Sequence, residues 1–141
     1  MDGNMDKSKK KDYTILVVDD AKSNHLFIEE VLKGLNFNYK AIHAYNGKEA
    51  VDIFHHKQKV DLVLMDIRMP LMNGIDATKE IRKMQVEVPI IVLTAYVENY
   101  DKEEAFAAGC NNYISKPINI NSLISIIQFY RNKKTLEQLK E

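Results

Sequence analysis

Apolar and polar residues follow two kinds of pattern along this chain, and the two kinds take turns. Continuous apolar runs occur in "YTILVVDD", "VDLVLMD" and "PIIVLTA", at residues 13–20, 60–66 and 89–95. Such runs are typical of strands that are buried on both faces of a parallel sheet. Two weaker strands are predicted at residues 39–44 and in "NYI", at residues 112–114.

Between these runs the apolar residues recur every three or four positions, which predicts helices. The predicted helices run from Ser23 to about Gly34, over Lys48–His56, in "GIDATKEIRKM", and from about Tyr100 to Ala108, where Gly109 ends the helix. A last helix carries Leu123, Ile126, Ile127 and Tyr130. Gly34 is expected to end the first helix in a left-handed conformation. Strands and helices that alternate in this way predict a doubly wound α/β fold with a five-stranded parallel sheet.

In an open parallel sheet, ligands bind beyond the carboxyl ends of the strands, so the residues at those ends are candidates for chemistry. Asp19 and Asp20 end the first strand, Asp66 ends the third, Thr94 ends the fourth, and the fifth strand leads to Lys116. Three carboxylates that converge on one edge repel one another, so a cation must balance them. Oxygen ligands of this kind are suited to Mg²⁺, which commonly shares its coordination shell with a phosphate group.

Lys116 supplies a point charge that is suited to phosphate. Asp66 is therefore predicted to act as a nucleophile that forms an aspartyl phosphate, while Mg²⁺ and Lys116 neutralise the charge on the transferred group.

Composition indicates what kind of protein carries this chemistry. The 141 residues are enough for one domain, and twenty basic and twenty acidic side chains cancel, so no overall charge favours binding to nucleic acid or to a membrane. The single cysteine, Cys110, cannot form an internal disulfide. Residues 1–11 are polar and lysine-rich and lack the apolar stretch of a secretory signal; we interpret them as a flexible linker. These features predict a cytoplasmic protein.

Four motifs occur in a fixed order and spacing: "ILVVDD", "DLVLMDIRMPLMNG", "PIIVLTA" and "YISKPI". Together they resemble the receiver domain of two-component response regulators over residues 12–131, and the stretch that begins "MDIRMP" is most similar to receivers of hybrid histidine kinases. The resemblance implies a flavodoxin-like (βα)5 fold with strand order 2-1-3-4-5. Residues 132–141 are then left as a helical extension at the C-terminus.

The resemblance also implies a partner and a metal site. Asp66 would take a phosphoryl group from a histidine kinase or a histidine phosphotransfer domain and control a partner or an attached domain. Asp19, Asp20, Asp66 and the backbone carbonyl of Arg68 would hold Mg²⁺.

Further roles follow from the same resemblance. Thr94 and Lys116 would bind the phosphoryl oxygens, and Thr94 and Tyr113 would form a conformational switch. Arg68 and Tyr96, each two residues beyond a site residue, would tune the lifetime of the phosphoryl group.

The sequence also allows other functions. A receiver that has lost phosphorylation and acts only as a protein-docking module is the main alternative. A phosphatase of the haloacid dehalogenase kind would need an Asp-x-Asp motif on the first strand, where this chain has two adjacent aspartates. A flavodoxin-like flavin carrier is also disfavoured, because the acidic loop "DDAKSN" would repel the flavin phosphate. His25 is interpreted as a docking-surface residue, and His55 and His56 as solvated residues near a helix end.

Overall fold

The structure is a computed structural model, and it describes residues 12–95 and 99–140, apart from the side chains of residues 99, 100 and 140. Strands and helices alternate as β1 Tyr13–Val18, α1 Lys22–Leu32, β2 Tyr39–Ala44, α2 Gly47–His55, β3 Leu62–Met65, α3 Gly74–Lys83, β4 Ile90–Thr94, α4 Asn99–Ala108, β5 Asn112–Ser115 and α5 Ile120–Lys140. The predicted linker, residues 1–11, lies outside the described residues.

The five strands form one parallel sheet in the order β2-β1-β3-β4-β5. This order confirms the predicted flavodoxin-like, doubly wound fold. Every residue of β1, β3 and β4 is buried, as their continuous apolar runs predicted. Because β2 and β5 lie at the edges of the sheet they are only partly buried, which explains their weaker apolar pattern.

Alternate residues of each strand point to opposite faces of the sheet and build two separate cores. Leu16, Met65 and Val92 face one core, which includes residues of α2, α3 and α4. Val17 and Leu64 face the other core, which is closed by α1 and α5. The strands are thereby held rigidly between two helical layers, and their carboxyl ends form one common edge.

An asparagine precedes and caps each of α2 and α3. The side chain of Asn46 accepts a hydrogen bond from the Glu49 N–H, and that of Asn73 accepts one from the Asp76 N–H. Such caps satisfy backbone donors that have no partner inside the helix.

The prediction for the end of the first helix is wrong. Gly34 does not have a positive φ angle, which among the described glycines only Gly109 has. A side chain at Gly34 would instead meet the Ile124 side chain at 2.8 Å, so this glycine allows α1 and α5 to approach closely. The helix itself ends at Leu32.

The last helix continues without a break to Lys140, past the predicted domain end at residue 131. Its second half is fixed to the opposite end of the sheet by an ion pair between Lys134 and the buried carboxylate of Asp61, which also accepts the Thr14 N–H at 2.7 Å. Across the described residues, no helix combines the length and the apolar character needed to cross a membrane.

Candidate functional site

Three carboxylates meet at the carboxyl edge of the sheet. Asp19, Asp20 and Asp66 each contribute one oxygen to a group whose members all lie within 4.8 Å of one another. Their positions follow from strand register, because Val18 pairs with Met65 and the Asp66 N–H donates to the Val18 carbonyl at 2.9 Å. We call these three residues the acidic cluster.

The fold disfavours the ionised form of Asp66. Its side chain is 12% exposed, and burial raises the pKa of Asp66 to about 6. Lys116 opposes this rise, whereas Asp19 and Asp20 add to it, and the Ile67 N–H donates to Asp66 Oδ1 at 2.9 Å. A cation bound between the carboxylates would offset both the cost of burying the Asp66 charge and the repulsion among the three carboxylates. The cluster therefore fits a hard divalent ion such as Mg²⁺.

Lys116 brings one positive charge to this edge. Its Nζ lies 3.2 Å from Asp19 Oδ2 and 3.9 Å from Asp66 Oδ1. The Lys116 N–H donates to the Thr94 carbonyl at 2.7 Å, and the peptide bond between Lys116 and Pro117 is cis. The ammonium group is directed into the acidic cluster.

The carboxylate of Asp19 has several partners besides Lys116. It accepts hydrogen bonds from the Ala21 N–H at 2.9 Å and from Asn24 Nδ2, which lies 3.1 Å from both oxygens. The backbone carbonyl oxygen of Asp19 lies 2.8 Å from His25 Nε2. Sequence reasoning missed the contributions of Asn24 and His25 to the site.

The interpretation of His25 as a docking-surface residue is wrong, because only 2% of this residue is exposed. A signal for its burial is present in the sequence: His25, Ile28 and Leu32 follow at i, i+3 and i+7, which is the spacing of one helical face. Ile28 and Leu32 are both part of the core beneath α1.

Two glycines hold the loop that follows Asp66 in place. A side chain at Gly74 would approach the Asp66 carbonyl to 1.9 Å, and one at Gly47 would approach the Met72 carbonyl to 2.5 Å. Their N–H groups instead donate to the Ile67 and Met72 carbonyls at 2.8 and 2.9 Å. Both glycines follow a capping asparagine, so the repeated Asn-Gly pair marks where the loop is fixed.

The Arg68 side chain pairs with a carboxylate that is not part of the acidic cluster. Its guanidinium group pairs at 3.3 Å with Asp101 in the first turn of α4, whose side chain is only 7% exposed. Sequence reasoning did not identify Asp101. Metal binding by the Arg68 backbone carbonyl stays a prediction, and Tyr96 lies outside the described residues.

The two predicted switch residues lie on neighbouring strands. Thr94 is buried and ends β4 on the same edge as the acidic cluster. Tyr113 in β5 is half-buried and packs against the core under α2, α3 and α4. Burial, with smaller contributions from Asp101 and Cys110, raises the pKa of Tyr113.

A cleft of about 390 Å³ adjoins the acidic cluster and Lys116. Its wall includes Phe27 of α1 and Ile120 of α5, which are 42% and 48% exposed.

His55 and His56 lie exposed at the end of α2, as interpreted from the sequence.

Comparison with known proteins identifies the family. The family model described as the response regulator receiver domain matches residues 15–128. The chain belongs to this family. The receiver domain is 40% identical over 114 residues to two-component response regulator 24 of Arabidopsis thaliana, and the match covers 81% of each chain.

Relatives of the receiver domain include parts of much larger proteins and solved domains. It is 34% identical to hybrid signal transduction histidine kinase I of Dictyostelium discoideum, of which it spans only 7%. The receiver domain of a sensor histidine kinase from Pseudomonas aeruginosa is 36% identical, with a TM-score of 0.75 over 85% of this chain and 98% of that one. That structure is described as having a magnesium ion coordinated in the active site cleft.

Proposed function

We propose that this receiver domain accepts a phosphoryl group on Asp66 from a phosphohistidine, in a reaction that depends on Mg²⁺. The observation that carries the proposal is the acidic cluster itself, with oxygens within 4.8 Å of one another and the ammonium group of Lys116 3.9 Å from Asp66. Such a site is short of positive charge until a divalent ion binds. A divalent ion and a lysine beside one carboxylate can stabilise the charge that develops on a transferred phosphoryl group.

The proposed metal ligands are Asp19, Asp20, Asp66 and the backbone carbonyl of Arg68. When bound, Mg²⁺ would neutralise charge on the carboxylates and on the incoming phosphoryl oxygens. The match with the receiver structure described as holding magnesium supports this assignment.

Asp66, Lys116 and Thr94 have different proposed roles in the transfer. A carboxylate oxygen of Asp66 attacks phosphorus, the bond from phosphorus to the donor imidazole breaks, and the imidazole nitrogen keeps the electron pair. Lys116 pairs with Asp19 and Asp66 before transfer, and its ammonium group then binds a phosphoryl oxygen. Thr94, which ends the neighbouring strand, donates its hydroxyl to another phosphoryl oxygen.

Phosphorylation is proposed to shift the population between two packings of the surface around β4, α4 and β5. Thr94 would move toward the phosphoryl group, and Tyr113 would fill the vacated space. A coupling of about 1 to 3 kcal/mol is typical of such switches and is enough to change the affinity for a partner. Arg68 and Tyr96 are proposed to tune the lifetime of the acyl phosphate by controlling the access of water.

The proposed donor is a histidine kinase or a histidine phosphotransfer domain. The exposed apolar side chains beside the cleft, Phe27 and Ile120, offer a contact surface next to Asp66 for such a protein. A role as a docking module without phosphorylation is less favoured, because the acidic cluster and Lys116 supply the groups that the chemistry needs. We place this activity in the cytoplasm, with no direct contact with nucleic acid.

The proposal is tested by incubating the protein with Mg²⁺ and acetyl phosphate, followed by intact mass spectrometry. We expect one labile phosphoryl adduct in the parent and in Asp52→Ala, a variant of an exposed carboxylate on α2. The adduct should be absent in Asp66→Ala and in the presence of EDTA. An adduct that persists in Asp66→Ala would place the acceptor elsewhere.

A further inference from the structure

We propose that His25 is a positioning residue for the metal site: it holds the backbone of Asp19 and so fixes one wall of the acidic cluster. The inference rests on the proposed function, because it assumes that the acidic cluster binds Mg²⁺. The contact of His25 with the acidic cluster is its hydrogen bond to the Asp19 backbone, so it is proposed to act through Asp19.

The contact lies between the first turns of α1 and the end of β1. His25 Nε2 is 2.8 Å from the Asp19 carbonyl oxygen, and 2% of the histidine is exposed. On its other side, the Asp19 N–H donates to the Ala44 carbonyl at 3.2 Å. The peptide groups around Asp19 are therefore held from two directions, and water has little access to replace the histidine.

The direction of this hydrogen bond fixes the protonation of one ring nitrogen. A carbonyl oxygen only accepts, so His25 Nε2 must carry a hydrogen. A neutral His25 ring then has a lone pair on Nδ1, which is free of hydrogen and can accept one bond. His43 Nδ1 lies 2.6 Å from His25 Nδ1, so in this tautomer of His25 the hydrogen between the two nitrogens belongs to His43.

His43 therefore selects the tautomer of His25 that donates to Asp19. Only one hydrogen fits between two nitrogens at this distance, and His43 supplies it from Nδ1. Burial, together with His25, lowers the pKa of His43, against an opposing effect of Glu29. The carboxylate of Glu29 lies 3.5 Å from His43 Nε2, at the solvent end of the pair.

Packing keeps the two rings in place. The Tyr45 ring lies 4.3 Å from the His25 ring, between centroids, and His43 is fixed by the pairing of its strand, β2, with Val17 of β1. The chain of contacts from Glu29 through His43 and His25 ends on the residue that contributes an oxygen to the acidic cluster. Partners that orient a metal ligand in this way typically change metal affinity when removed.

Titration calorimetry with Mg²⁺ on three variants tests the inference. His25→Leu removes the donor, whereas His25→Gln keeps an amide N–H for Asp19 and an oxygen for the His43 N–H. His55→Leu, at an exposed histidine, is the control. We expect about a 10-fold weaker Mg²⁺ affinity for His25→Leu, recovery to within about 3-fold of the parent for His25→Gln, and no change for the control.

Equal affinities of the parent and His25→Leu would overturn the inference, as would an equal loss in His25→Leu and His25→Gln. A parent that binds no Mg²⁺ would instead contradict the proposed function, and the inference with it. Should His25→Leu fail to fold, nitrogen-15 NMR of the parent decides: hydrogen on Nε2 of His25 supports the inference, and hydrogen on Nδ1 alone contradicts it.

Discussion

Replacing Asp66 with asparagine should stabilise the metal-free protein, although it removes the proposed phosphoryl acceptor. The Asp66 side chain is 12% exposed, and burial is the main reason that its pKa rises from 3.8 to about 6. Each unit of such a rise corresponds to about 1.4 kcal/mol of free energy. Ionised Asp66 therefore costs the folded state up to about 3 kcal/mol at pH 7.

The pH dependence of this effect has a definite sign. An acid whose pKa is higher in the folded state binds its proton more tightly there, so the free energy of unfolding falls as pH rises from 3.8 to 6. Asparagine does not ionise, and its carbonyl oxygen can still accept the Ile67 N–H. The stability gain of Asp66→Asn should be small at pH 4 and reach about 2 to 3 kcal/mol at pH 7.

Urea unfolding in EDTA at several pH values measures this difference, with Asp52→Asn as the control. Saturating Mg²⁺ should stabilise the parent more than Asp66→Asn and so reduce the gap, because only the parent keeps all three carboxylates. A variant that is less stable than the parent at pH 7 in EDTA, or a gain that does not change with pH, would refute the reasoning.

Three further predictions concern ion pairs. Lys116→Met should slow phosphorylation by acetyl phosphate about 100-fold, because the positive charge beside the transferred group is lost. A time course by mass spectrometry measures the rate, and an unchanged rate would contradict the prediction. Arg68→Ala and Asp101→Asn should both change the decay rate of the adduct, since each breaks the ion pair between the loop after β3 and α4. Rates equal to that of the parent would count against the proposed tuning role. Lys134→Met should destabilise the protein by about 1 to 3 kcal/mol in urea, because it leaves the buried Asp61 with a weaker partner; an unchanged midpoint would show that this ion pair contributes nothing.

The parts of the fold that the sequence predicted well are those governed by a short-range pattern. The continuous apolar runs of β1, β3 and β4 predicted buried strands, and the convergence of Asp19, Asp20 and Asp66 followed because parallel strands end at one edge. The conformation of Gly34 was misjudged, since its small size serves contact with Ile124 in a helix that is distant in the sequence.

The parts of the site that could not be predicted are contacts between single side chains on distant segments. The pair of Arg68 and Asp101 joins residues 33 positions apart, and nothing in either local pattern indicates the other. The same holds for His25 and His43, although the helical spacing of His25 with Ile28 could have indicated its burial. Such pairs depend on the relative placement of elements, which periodicity does not specify.

The central claim is that the acidic cluster and Lys116 form one site for Mg²⁺ and a phosphoryl group on Asp66. A crystal structure of the protein with Mg²⁺ and beryllofluoride, a mimic of the phosphoryl group, tests it most directly. We predict beryllofluoride on an oxygen of Asp66, Mg²⁺ bound to oxygens of the acidic cluster, and Lys116 Nζ within hydrogen-bonding distance of a fluorine. Beryllofluoride attached to another residue, or Mg²⁺ bound away from Asp66, would contradict the account.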